Sequence, residues 1–515
     1  MVSVPRRARV RTAMVAGVVG ACVAVATAAC SAGSGQPGAS RGNSSDGRTT
    51  LVVGVTAEPA SLDFTHENGA AIPQALLTNV YEGLVKVDQD GKIVPGLASA
   101  WQVSPDRLTY TFDLVKDAKF TNGSPFTADD VKFSIDRVKS GGWTTSLAAA
   151  MNVVREVKVT SPTQVQVILS APSNDWLYRM TTRVGAMFSR TGVDALATTP
   201  IGTGPYMFTK WTKGDSIVLE RNPDYWGPQP YFDQVTLRYY KEAAALNNSL
   251  LSGGIQVISQ VTAPDSLGQF SDSSKYQVIE GTTNAEVVLS FNNARAPFTN
   301  VSVRQAARAA IDHRALLDRC WGGRGQLIGS MVPPTDPWYE DLTGIAPYDP
   351  ARAKDLLARA GQPNPSIRLR VPTLPYATSC GQVVKSQLEQ VGFTVKLDQL
   401  EFPAAWLSSV FTQGDYEASI VAHVEPRDLP AVFGNPSYYI HYKNPALTAA
   451  LAAADSGDEE TQVAKMKEAA RLISEDAASD WLFLMPNLVV ADTSITGLPK
   501  NSISESFDLT GLGHR

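Results

Sequence analysis

The first thirty residues constrain the rest of the chain most. Arg6, Arg7, Arg9 and Arg11 precede an uncharged apolar run from about Ala13 that ends in Thr27-Ala28-Ala29-Cys30. A basic start, an apolar stretch and small residues before a cut form the layout of a secretory signal, which is removed and takes no part in the fold. The run is Ala-, Gly- and Val-rich and only about long enough to span, which argues against a permanent membrane helix. What remains must therefore fold outside the cytoplasm. Residues 31–50, SAGSGQPGASRGNSSDGRTT, hold almost no apolar side chain. Such a stretch cannot bury a core and reads as a flexible linker.

The small residues ending at Cys30 resemble the lipobox of bacterial lipoproteins, in which the Cys becomes a lipid-bearing N-terminus. Thr27 stands where lipoboxes usually carry Leu, and an ordinary secretory signal with an incidental Cys is the alternative. The resemblance implies a signal over residues 1–29, a lipidated Cys30 with a linker over 30–50, and an extracytoplasmic body tethered to the cell membrane.

The body, from Leu51 to Arg515, is long for one domain and predicts two or three lobes. Apolar residues make up 43% and charged residues 18%, as in soluble globular proteins. The formal charge is −5, and loss of the signal arginines makes the mature chain more acidic. That acidity argues against nucleic acid as a partner. After Cys22 leaves and Cys30 takes lipid, Cys320 and Cys380 remain. Two thiols in an exported chain point to a disulfide. Two separate buried thiols are the alternative, and the Cα separation decides between them.

Along the body, strand and helix patterns alternate. Leu51 onward opens as a strand that stops at Glu58-Pro59, and IPQALLTNVYEGL has helical character. LVKVDQDGKIVP reads as a hairpin around Asp90-Gly91. LTYTFDLV alternates strictly, as a half-buried strand does. Thr127 is the expected N-cap of a helix through DVKFSIDRV, with acids in its first turn. EVKVTSPTQVQVILS gives two strands, SIVLERN and VTLRYY two more, and EAAALNNSLLSG a helix. EVVLSFNN is a strand and VRQAARAAIDHRALLDRCW predicts one long amphipathic helix. DPARAKDLLARAG is helical and stops at Gly361. IRLRVP, GQVVKSQLEQVG and FTVKLDQLE form a βαβ unit with a parallel pair.

Catalytic signatures are missing from the sequence: there is no G-x-S-x-G, H-E-x-x-H, C-x-x-C or P-loop. Histidine is confined to His66, His313, His423, His441 and His514. No cofactor and no resident metal are expected, and the chain reads as a binding protein rather than an enzyme. Gly202, Gly204 and Pro205 make a sharp loop rather than a phosphate cradle. Trp211, Tyr225 and Trp226 read as packing anchors, and Arg304 and Arg308 as a salt-bridged or solvated i, i+4 pair.

Five blocks in order carry a resemblance: YEGLVKVDQDGKIVPGLASAWQVSPDRLTYTFDLVKDAKFTNGSPFTADDVKFSIDRV, PIGTGPYMFTKWTKGDSIVLERNPDYWG, LSFNNARAPFTNVSVRQAARAAIDHRALL, YDPARAKDLLARAG and LEQVGFTVKLDQLE. Together they resemble the peptide/nickel class (family 5) of extracellular solute-binding proteins, the receptors of ABC importers. The resemblance implies an α/β, two-lobed periplasmic-binding-protein-like clamp of type II (cluster C-like), with a hinge and an extra subdomain in lobe I. Lobe I would take residues 51–80, 198–290 and 480–515, the inserted subdomain 81–197, and lobe II 291–479. It implies a monomer that binds a peptide or small-molecule solute in the interlobe cleft and hands it to a membrane permease.

In this family one stretch of lobe II faces the ligand, typically a Trp followed by an acid near an Asp-Pro; in peptide binders the acid pairs with the α-amine. Here it reads SIVAHVEPRDLPAVFGNPSYYIHY, with His423 at the Trp position and Pro426 at the acid position. Either Glu425 or Asp428 takes over the amine, or the ligand has none and Arg427 receives an anion. A structural salt-bridge cluster is the bland reading of these residues. Tyr438, Tyr439 and Asn292 complete the lobe II candidates, and Glu58 and Ser61 represent the loop after the first strand. His423, Glu425, Asp428 and His441 match no tight metal spacing. A metal chelate that brings its own ligands is the second reading, and an exported hydrolase a distant third.

Overall fold

The computed structural model describes residues 48–515 except 67 and 68. The signal, Cys30 and most of the linker lie outside the described residues. Among those described, no helix is long and apolar enough to cross a membrane.

Apolar strands organise the body. The order across one ten-stranded sheet is Thr394–Leu400, Ser366–Pro372, Ala418–His423, Tyr276–Phe291, Ser479–Asp492, Val257–Ile258, Thr50–Val55, Gln234–Tyr239, Ser216–Arg221 and Tyr206–Thr212. Two strands are far longer than the rest. Tyr276–Phe291 and Ser479–Asp492 run antiparallel through the middle, and their ladder breaks between Thr282 and Glu286. On one side of that break the core gathers Leu51, Val53, Tyr81, Phe112, Val489 and Leu509. On the other, Val287, Leu289 and Phe291 face one apolar cluster while Val288, Trp481 and Leu484 face another. Both faces of the strands are covered there, so they read as continuous apolar runs rather than alternating ones. The result is two lobes joined through paired crossing strands.

A separate four-stranded sheet, Ala98–Val103, Thr109–Leu114, Gln164–Leu169 and Val154–Ser161, belongs to the first side. Helix Ala128–Lys139 packs on it and starts at Thr127, whose N–H and Oγ1 reach Asp130 Oδ2 at 2.9 and 3.0 Å. The hairpin Val85–Val87/Ile93–Pro95 turns through Gly91 at φ +84°.

Two expectations change. The long helix over VRQAARAAIDHRALLDRCW is two, Val301–Ala309 and His313–Trp321. Asp312 adopts an extended conformation and accepts from Ala315 N at 3.0 Å, so it caps the second helix instead of continuing the first. The helix in IPQALLTNVYEGL stops at Leu76 because Thr78 takes φ +68°. Asn79 then holds the chain: its Nδ2 donates to the carbonyls of Ala75 and Phe507, and its Oδ1 accepts from Leu509 N. Gly202 and Gly204 press against the carbonyls of Val80 and Asn79, where a Cβ would collide. They form a close-packed loop.

Arg304 and Arg308 are buried, not solvated. Arg304 donates to the carbonyls of Phe298, Asp476 and Ala477. Arg308 Nε meets Asp480 at 3.2 Å, and His313 Nε2 lies 3.0 Å from the same carboxylate. Cys320 and Cys380 are joined by a disulfide, with Cα atoms 5.0 Å apart, tying helix His313–Trp321 to helix Pro375–Val391.

Candidate functional site

Strand Ala418–His423 ends in a loop that brings most of the lobe II candidates together. His423 is 9% exposed and stacks on Tyr439 at 6.0 Å and 12°. Its Nε2 lies 3.0 Å from Tyr439 OH, which is 2.7 Å from Ser290 Oγ. On the other side of the ring, Nδ1 is 3.4 Å from Asp428 Oδ2. Tyr438 packs on Tyr439 at 5.2 Å. This buried chain, Ser290–Tyr439–His423–Asp428, holds the loop rigidly against the sheet.

Arg427 adopts φ +54°, a left-handed conformation that a non-glycine residue holds only when its surroundings impose it. Its Nε donates to Asp336 Oδ1 at 3.2 Å. The guanidinium lies 3.8 Å from the Tyr178 ring centroid and 4.7 Å from that of Trp338, and it donates to Gly91 O at 3.3 Å. Tyr178 and Gly91 come from the first side of the molecule, so Arg427 joins the two sides. Burial pushes the Asp336 carboxyl up to about 6, against the pull of Arg427. Further along the same seam, Asn174 Nδ2 donates to the carbonyls of Ala454 and Gly457 at 2.8 and 2.9 Å. Asp455 Oδ1 accepts from Ser173 Oγ and Asp175 N. The two sides are in contact.

Val424 and Glu425 project from this loop, Val424 with 58% of its surface exposed. Although Glu425 is exposed, the enclosing protein and then the Asp428 charge raise its carboxyl above the usual range, while Arg179 and Arg183 oppose. Arg179 and Arg183 also belong to the first side.

Three candidates are not part of this cluster. Glu58 Oε1 accepts from Trp211 Nε1 at 3.0 Å and Gly214 N at 2.8 Å, pinning a hairpin. Ser61 Oγ accepts from Asp63 N within its own loop. Asn292 is 3% exposed, and its Nδ2 donates to the carbonyls of Gly414 and Tyr416. Each is held in place by these protein groups. Residues near Glu58 do reach a small cavity of about 60 Å³, lined by Thr56, Ala57, Tyr239, Gln260, Thr283 and Asn487, beside the crossing strands.

Sequence reasoning missed Glu286, Asp336, Tyr178 and Trp338. Glu286 had a signal: it is the one acid in the apolar run AEVVLSFNN. The other three reach Arg427 from distant segments and left none. Among the described residues, no group of three or more His, Cys, Asp or Glu side chains could hold a metal ion. His423, Glu425, Asp428 and His441 therefore form no metal set.

The class of this fold is defined by solved structures with the same architecture. The DppA periplasmic binding protein from Helicobacter pylori, in complex with the peptide STSA, aligns with a TM-score of 0.77 at 23% identity, covering 91% of this chain and 98% of that one. NikZ from Campylobacter jejuni, in complex with Ni(L-His), gives 0.75 at 20% identity, covering 90% and 99%. A Brucella ovis protein assigned to peptide binding in an ABC transporter is 30% identical over 355 residues, which is 66% of this chain and 66% of the relative. The match with the bacterial extracellular solute-binding proteins, family 5 (middle), runs over residues 92–440. The chain belongs to that family.

Proposed function

We propose that this protein is a lipid-anchored receptor that binds peptides or peptide-like small solutes between its lobes and delivers them to an ABC permease. Lobe I is taken as residues 51–80, 198–290 and 480–515, its inserted subdomain as 81–197, and lobe II as 291–479. The observation that carries the reading is Arg427, a lobe II cation seated on Tyr178 and Gly91 of the inserted subdomain. That contact belongs to a clamp that has shut. A ligand drives closure only by binding the closed form better than the open one. Acids gathered along the same seam, Glu425 and Asp428 among them, draw a peptide α-amine toward the cleft. A buried ammonium needs such a partner, since leaving it unpaired costs several kcal/mol. No turnover is expected, and one ligand binds per monomer.

A metal chelate is the second reading, favoured by the likeness to a fold that holds Ni(L-His). With no protein metal set among the described residues, such a metal would arrive with its own ligands. Native mass spectrometry of the purified body, followed by denaturing analysis of what is released, tests both. A ladder of short-peptide masses is the expected result. A single non-peptide mass or a metal isotope pattern moves the assignment to a chelate receptor. Turnover of any released compound would overturn both.

A further inference from the structure

A buried carboxylate stands where the chain changes lobes. Glu286 resumes the ladder immediately after its break at Thr282. Its cross-strand partner is His423, so the two side chains leave the same face of the sheet. Glu286 is 2% exposed, and its Oε2 has no hydrogen-bond partner among the described residues. Burial first, then the charges of Asp428 and Asp336, raise its carboxyl well above the usual range. The nitrogen donors nearest this face are already engaged. Arg427 is held by Asp336, and His423 Nδ1 faces Asp428. Glu286 Oε2 is left without a partner.

We propose that Glu286 receives a protonated nitrogen of the ligand, an ammonium or guanidinium, in the shut clamp, and that this makes closure selective for cationic solutes. The inference rests on the receptor reading above and names the chemistry of its ligand. Burying an ionised carboxylate without a partner is costly. Separation of the lobes lifts Tyr178 and Gly91 off Arg427 and admits water to the face shared by Asp336, Asp428, His423 and Glu286. Closure then returns Glu286 to a dry site, where it must hold either a proton or a cation. An empty clamp pays with a proton and a cationic ligand removes that need, which is a differential affinity for the closed state. A neutral or anionic solute offers no such relief.

The test has two arms on the full mature chain. In the first, small-angle scattering follows the radius of gyration of ligand-free protein at pH 8 and pH 5.5. The wild type is expected to contract on acidification, as the proton substitutes for the missing cation. Glu286→Gln, isosteric and neutral, is expected to be contracted at both values. Glu286→Met serves as a second neutral variant, and melting curves confirm that both fold. Asp336, Asp428, His423 and Glu425 are the other ionisable groups around this face, with Arg427 beside them, so Asp428→Asn is run alongside and is expected to keep a pH response. A wild type without pH response, or a Glu286→Gln that responds like it, overturns the proposal.

In the second arm, calorimetry compares an equimolar library of free-amine dipeptides with its N-acetylated counterpart. The wild type is expected to favour the free amines at least tenfold, and Glu286→Gln to lose that preference. Equal preference in both proteins overturns the role of Glu286 and leaves the receptor reading intact. If neither library binds while the Glu286-dependent contraction persists, the peptide reading fails and the cation site stands.

Discussion

Arg427 shows how far a side chain's role depends on what reaches it. From the sequence it is either an anion-binding cation in a ligand-facing loop or a member of a salt-bridge cluster. In the fold its guanidinium lies against Tyr178 and Trp338 and is paired with Asp336. A desolvated cation–π contact is worth about 2 kcal/mol. Since part of it is made across the opening, Arg427→Ala is expected to weaken ligand binding roughly tenfold by making closure harder, about 1.4 kcal/mol. Titration of the co-purified ligand class against both proteins checks this, and an unchanged Kd would remove the bridge from the closing mechanism. Glu82 offers a second residue-scale expectation. It is buried and accepts from Thr203 Oγ1, Tyr225 OH and Trp226 Nε1, yet burial pushes its carboxyl up to about 7. A folded value above the unfolded one, near 4.3, gives stability that is present at acid pH and lost as pH rises toward 7. Relative to Glu82→Gln, the wild type should lose about 2.5 kcal/mol between pH 5 and pH 8. Urea unfolding at both values would reveal parallel curves if the idea is wrong. The expected packing anchors Tyr225 and Trp226 thus anchor through this acid, which local patterning did not reveal.

At the scale of elements, most strands and helices were legible because their information is local. Alternation marked Thr109–Leu114, Thr127 and its acids marked the helix Ala128–Lys139, and the β-α-β pattern marked the parallel pair Ser366–Pro372 and Thr394–Leu400. The failures share a cause. The helix expected over 303–321 breaks because Asp312 finds Ala315 N, a competition that apolar periodicity does not register. The helix at Ala71–Leu76 ends early because Asn79 is captured by Phe507 and Leu509, more than four hundred residues away. The disulfide spans 60 residues between helices His313–Trp321 and Pro375–Val391. By loop-closure entropy, a Cys320→Ala/Cys380→Ala double variant should be less stable by about 4 kcal/mol. Its denaturation midpoint measures this, and an unchanged midpoint would mean that helix packing alone holds the pair.

For the whole molecule, anchoring and closure are the properties to test. If Cys30 carries lipid, the wild type should partition with membranes and Cys30→Ser should appear in the soluble extracytoplasmic fraction. Equal partitioning of the two would reduce the N-terminus to an ordinary secretory signal. The absence of catalytic motifs, the α/β alternation and the five family blocks were all available from residue order. Each is a property of a short contiguous segment, or of several read in order. The seam between the two sides was not available in this way. It joins Gly91, Tyr178, Asp336, Arg427 and Asp455, and Glu286 pairs across the strands with His423 while its Oε2 has no partner among the described residues. Those meetings depend on two long strands running through both sides and on the contact between the sides. Charge balance in a dry site is decided by everything within a few ångströms, whatever its distance along the chain. Residue order placed the chain in a family of solute-binding proteins with a two-lobed α/β fold, and only the tertiary structure decided which of its buried acids is left without a partner among the described residues.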